Sequence, residues 1–171
     1  MARRNASLAS SARLVCVLAA LSLLASCSTR LISDYDEATD HALTSIQQKT
    51  DDFVIGLEKV AGTPDAAFQK HAAFYDDVDH DLRQLEFRVG SIPNNSHTQT
   101  LVEDIRAAIL GDGTCKADGT GKSLRDLHCS SDAARGPSAA ALEINRRNLN
   151  QTISAALQLE LAKKQGLERN Q

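Results

Sequence analysis

From residue 68 to residue 92 one set of positions recurs at intervals of 3, 4, 3, 4, 3, 4 and 3: Phe68, His71, Tyr75, Val78, Leu82, Leu85, Val89 and Ile92. A strand turns every second side chain to one face and cannot carry this pattern. A helix presents it as a single coiled-coil-like seam, which stays in water unless another helix covers it. The seam therefore predicts a helix over 64–91 and at least one helical partner.

The partner is legible just upstream. Ile32, Thr39, Ile46, Phe53 and Val60 advance by seven, with Leu43 and Leu57 beside them, which predicts a helix over 32–61. At 1.5 Å per residue it would be about 45 Å long. Gly62-Thr63-Pro64-Asp65 separates the two, with Gly suited to end one helix, Thr63 to cap the next and Pro64 to open it. Such a short link makes the pair an antiparallel hairpin, and all six aromatic residues (Tyr35, Phe53, Phe68, Phe74, Tyr75, Phe87) fall within it. Ser96 and Gln99 form a capping-box pattern for a third helix over 97–110, with Leu101, Ile105 and Ile109 inward. Gly136-Pro137-Ser138 opens a fourth over 137–164, with Leu142, Leu149, Ile153, Ala156, Leu157 and Leu161 as its stripe and Glu160 and Lys164 placed to pair. The expectation is an all-α chain, an antiparallel helical bundle of about four helices spanning 35–165, with a frayed tail at 166–171.

The first 26 residues are a different object. They hold three arginines (Arg3, Arg4, Arg13), no acid, and a nearly unbroken apolar run from Leu14 to Ala25. That run is too short to span a bilayer and has the length of a signal-peptide core. It ends in Leu24-Ala25-Ser26-Cys27, which resembles the lipobox of bacterial lipoproteins. The resemblance implies cleavage before Cys27 and acylation of its thiol and new amino group, with diacylglycerol and an N-acyl chain as the only attached groups and no other cofactor. Two or three acyl chains anchor a protein stably where one does not. Residues 27–34 then serve as acylated N-terminus and tether. Ser28, where Asp would signal retention in the inner membrane, implies an outer-membrane anchor facing the periplasm.

Everything after residue 26 carries all 22 acids against 16 Lys and Arg, a net of −6. A nucleic-acid-binding chain needs a basic face against phosphate, and this composition argues against one. Past residue 30 no stretch approaches the 18 uninterrupted apolar residues of a membrane span.

Residues 111–136 are polar and Gly-rich, bracketed by Cys115 and Cys129. With Cys16 lost in the signal peptide and Cys27 acylated, these two remain as a pair, and an oxidising periplasm favours their disulfide. A redox role would call for Cys-x-x-Cys. Gly121-Lys122-Ser123 has the look of a P-loop tail, but the position of the motif's first Gly is Lys116 and no strand precedes it. Asp112 and Asp118 hint at a calcium loop without its spacing or closing Glu.

Two clusters of acids with histidine carry the sharpest remaining signal. Asp76, Asp77, Asp79, His80 and Asp81 crowd into six residues of the second helix; Asp34, Asp36, Glu37, Asp40 and His41 crowd the start of the first. Carboxylate and imidazole one turn apart can chelate a divalent cation, which makes Glu37, His41, Asp76, Asp77 and His80 candidate ligands. A solvated acidic face opposite an apolar stripe accounts for the same residues. On the seam itself, His71 is expected to be a hydrogen-bonded core histidine near Tyr75.

No Gly-x-Ser-x-Gly elbow, His-Glu-x-x-His motif or free mature thiol is present, and a sugar-binding cleft is poorly served by two Tyr and no Trp. Tyr35-Asp36-Glu37, Gly62-Thr63-Pro64, Phe74-Tyr75-Asp76 and Leu159-Glu160-Leu161-Ala162-Lys163-Lys164 resemble small helical lipoproteins of proteobacteria. That resemblance implies the anchor and the helical fold and no particular reaction. The expected role is a non-enzymatic envelope lipoprotein with a membrane anchor and an envelope protein as partner; the alternative is a periplasmic divalent-metal binder using the Asp and His clusters.

Overall fold

A computed structural model of the chain describes residues 32–116, 121–131 and 134–169. The segment assigned above to the signal peptide, together with Cys27, lies outside the described residues, as do Asp118 and residues 170–171. The described residues are helical with no strand: α1 (Glu37–Val60), a 3-10 turn (Pro64–Ala66), α2 (Phe68–Ser91), α3 (Ser96–Leu110), α4 (Leu124–Ser130) and α5 (Ala139–Glu168).

Helix starts follow their caps. The Asp36 carboxylate accepts the Thr39 backbone N–H at 3.0 Å, so α1 begins at Glu37 and the expected start at 32 moves inward by a turn. Thr63 caps and Pro64 opens only the 3-10 turn, after which Ala67 is extended and α2 starts at Phe68. The capping box expected of Ser96 and Gln99 does not form. Asn95 occupies the cap but its side chain makes no bond to the N–H groups of the helix, Ser96 is the first helical residue, and the Gln99 amide donates instead to the Val89 carbonyl at 3.2 Å. Ser138 caps α5, so the helix starts at Ala139 where 137 was expected, and it runs past 164 through Gly166 to Glu168.

The seam is the core. From α2, Tyr75, Val78, Leu82, Leu85 and Val89 are buried; they meet Leu43, Ile46, Val54 and Leu57 of α1, Val102, Ile105 and Ile109 of α3, and Leu142, Leu149, Ile153 and Ala156 of α5. Helix α1 packs on α2 and α5, and α3 packs on the same two helices. Cross-helix pairs set their levels: Arg146 of α5 reaches Glu58 and Asp51 of α1, and Asn150 also donates to Asp51. Burying this much branched apolar surface is the main term holding the helices together.

Helix α4 occupies a region expected to be loop. Ser123 and Asp126 form a reciprocal capping box that starts it, and Leu124 and His128 turn into the core. The Cys115–Cys129 disulfide is formed, with Cα atoms 5.8 Å apart, tying the last turn of α4 to the segment that follows α3. Two glycines fit this corner by lacking a side chain. A Cβ on Gly121 would stand 2.1 Å from the Asp126 carboxyl carbon, and one on Gly136, at φ +66°, 2.0 Å from the Ala66 carbonyl oxygen.

Candidate functional site

Two of the four acids in the acidic run of α2 hold helices together. Asp81 pairs with Lys49 of α1, while Asp79 takes both Arg83 and Arg106 of α3, and Arg106 also lies 3.5 Å from Glu86. Of the five candidate metal ligands, Glu37 and His41 stand one turn apart at 3.6 Å, both more than three-quarters exposed. Asp76 and Asp77 are exposed on α2, and His80 accepts a hydrogen bond from the Gln84 amide. Among the described residues no group of three or more His, Cys, Asp or Glu is placed to hold a metal ion. The physical reason lies in the phase of the seam, which turns these positions to solvent.

Between α1 and α2 lies an open groove of about 730 Å³, floored by Ala38, Ala42 and Ile46 on one side and Leu85 on the other. The small residues of α1 give it depth. Phe87 forms its rim and is 82% exposed, the most exposed large apolar side chain among the described residues. Beside it Arg88 grips Asp36 with two bonds of 2.6 Å. That guanidinium, aided by Thr39, holds the Asp36 carboxyl down to about 2 even though its partial burial pushes the other way. On the same end of α1, Tyr35 donates its hydroxyl to Asp40, which raises the phenol to about 12.

Deeper at this end, Lys163 and Glu160 of α5 form a buried ion pair at 2.6 Å, and Glu160 has no exposed surface. The Lys163 ammonium also donates to Asn95 and Thr98, and Thr98 donates to Glu160. Ser33 joins through its hydroxyl to Asn95, while its N–H bonds the Asn94 carbonyl. The expected Glu160–Lys164 pair is replaced by this one; Lys164 instead lies over the Tyr35 ring, 5.3 Å from its centre. Leu161, expected in the apolar stripe, is 53% exposed.

At the opposite end His128, not His71, is the core histidine. Its Nε2 lies 2.9 Å from the Ala66 carbonyl and so must carry the proton, which leaves Nδ1 to accept the Tyr75 hydroxyl at 2.9 Å. Phe53, Phe68 and Tyr75 surround it, with Phe74 stacked on Phe53 behind them, and burial pushes the imidazole below its ordinary value. His71 is half-buried and donates to the Asp65 carbonyl at 2.7 Å. Four of the six aromatics thus converge here, while Tyr35 and Phe87 sit at the other end. The Gly121-Lys122-Ser123 stretch serves α4: Ser123 is its cap and Gly121 rests on Asp126.

Two of these groups carried a signal in the sequence. Positions 153, 156, 160 and 163 continue the apolar spacing of α5, so Glu160 and Lys163 were on the buried stripe by phase although polar by type. Ser123 and Asp126, three apart, marked the helix that carries His128. Comparison with protein-family models, with curated proteins and with solved structures finds no match for this chain.

Proposed function

We propose that this chain is a lipid-anchored, non-enzymatic lipoprotein of the cell envelope, held by acyl chains on Cys27 to the outer membrane and presenting a helical domain to the periplasm. The observation that carries this reading is the sequence Leu24-Ala25-Ser26-Cys27 closing an apolar run behind three arginines. The Cys115–Cys129 disulfide fits the same address, because such bonds persist in oxidising compartments. Among the described residues no helix is long and apolar enough to cross a membrane, so attachment through lipid is consistent with their composition. The domain is read as an antiparallel four-helix bundle of α1, α2, α3 and α5 with α4 and the disulfide loop at one end, a scaffold suited to a protein-interaction role.

The test is mass spectrometry of the mature protein isolated from membranes. The expected species begins at Cys27 and carries a diacylglyceryl group and an amide-linked acyl chain, and Cys27→Ala abolishes both cleavage and acylation. Cleavage at another site, or an unmodified Cys27, overturns the reading.

A further inference from the structure

The large apolar side chains left in water are not scattered. Ile32, Phe87, Leu161 and Ile144 are the exposed large hydrophobics among the described residues, at 48%, 82%, 53% and 54%. The first three sit around the start of α1. Ile32 precedes Ser33, which is bonded to the turn between α2 and α3. Phe87 neighbours Arg88, which grips the α1 cap Asp36. Leu161 lies between Glu160, bonded to the first turns of α3, and Lys164, which covers Tyr35. Helices α2 and α5 both pack on α1, so Phe87 and Leu161 flank its first turns from either side. Ile144 belongs to the other end, close in sequence to Arg146, which reaches the far part of α1.

This patch lies where the anchor leaves the domain. Four residues lie between Cys27 and Ile32, so the two are at most about 18 Å apart even when the chain is fully extended. Helix α1 alone, at 24 residues, is about 36 Å long. The start of α1 is therefore held close to the bilayer while its far end is not bound to be. A tether this short keeps the patch at a high effective concentration of lipid, so weak apolar contacts add to the acyl anchor. Phe and Leu side chains suit the boundary between headgroups and acyl chains, and the exposed Lys164 places a cation at headgroup level. Arg88, by contrast, is neutralised by Asp36, and the exposed Asp34 and Glu37 keep the rest of this end acidic.

We propose that the end of the domain bearing Ile32, Phe87 and Leu161 docks on the lipid surface, with Phe87 entering the acyl boundary. The proposal rests on the anchor reading above and fixes which face of the domain meets the membrane and which points away.

The chain contains no Trp, so Phe87→Trp and Ile144→Trp each introduce a single fluorophore at an exposed position, and helical circular dichroism checks that the fold is kept. The full-length lipidated variants are reconstituted into vesicles of phosphatidylethanolamine and phosphatidylglycerol, with and without bromine on the acyl chains. Bromolipid is expected to quench Phe87→Trp several-fold more than Ile144→Trp. Equal quenching, or none at position 87, overturns the docking. A Phe87→Trp emission that is blue-shifted but untouched by bromolipid also overturns it and assigns the patch to contact between copies of this chain. The mass of the same preparations separates the two readings. An acylated Cys27 with position 87 unquenched removes the docking alone, whereas an unacylated Cys27 removes the anchor and the docking with it.

Discussion

Single side chains in this protein do work that their type does not announce. Lys163 and Glu160 look like surface residues of a charged helix end, yet they are buried and paired, and one Glu160 oxygen has no partner. Removing one member of such a pair leaves an uncompensated charge, while replacing both with apolar groups is far milder. Lys163→Met is therefore expected to destabilise the fold by about 3 kcal/mol or more, and Glu160→Leu/Lys163→Met to recover most of that loss; urea unfolding of the three proteins reads both. His128 gives a pH dependence. The unfolded chain takes up its imidazole proton near 6.5, whereas burial lowers the folded value. Stability is then full above that pH and falls as pH drops from 6.5 towards the folded value. Melting temperature measured across this window should decline, with a smaller slope in His128→Gln. Neither group was legible from residue type. Burial of Glu160 and Lys163 depends on α3 and the turn before it, which supply Thr98 and Asn95, and the choice of His128 over His71 depends on α4 folding back onto the aromatic cluster.

The elements themselves were far easier to read. The seam of α2 and the sevenfold series of α1 hold their phase over 24 residues each, long enough for the core face to be unambiguous. Boundaries moved where a local bond outweighed the periodic pattern, as Asp36 does at the start of α1 and the 3-10 turn before α2. Asp36→Ala removes both the cap and the Arg88 pair and is expected to cost about 1 kcal/mol in urea unfolding, of the order of other lost caps. Helix α4 leaves no periodic signal because seven residues are too few to show one, and much of its stability comes from outside it. Part of that support is the disulfide, which closes a loop from Cys115 to Cys129. Cys115→Ser/Cys129→Ser should lose about 3 kcal/mol on the chain-entropy account, and the native chain with reductant should unfold at the same lowered midpoint. The cradle around α4 is equally specific. Gly136→Ala places a methyl against the Ala66 carbonyl in a left-handed backbone, and a loss of about 2 kcal/mol is expected by urea unfolding.

For the whole molecule, polarity is divided end from end. One end gathers Phe53, Phe68, Phe74, Tyr75 and His128 under the disulfide; the other gathers the ion pair, Asn95 and Thr98, with Ser33 tied to them. The candidate metal ligands lay in the sequence as two compact clusters, and sequence spacing alone had no means of showing that they face water on separate helices. Two ends so different give the chain an orientation, which a symmetric bundle would lack. The joint at Ser33 adds a mechanical consequence. A pull that reaches Ser33 along the chain passes through its N–H and hydroxyl to Asn94 and Asn95, which sit between α2 and α3, and Asn95 passes it to Lys163 of α5. Force arriving this way is shared by three helices before it can peel the first turn of α1, so the joint acts as a strain relief, like the collar on a cable where it enters its housing.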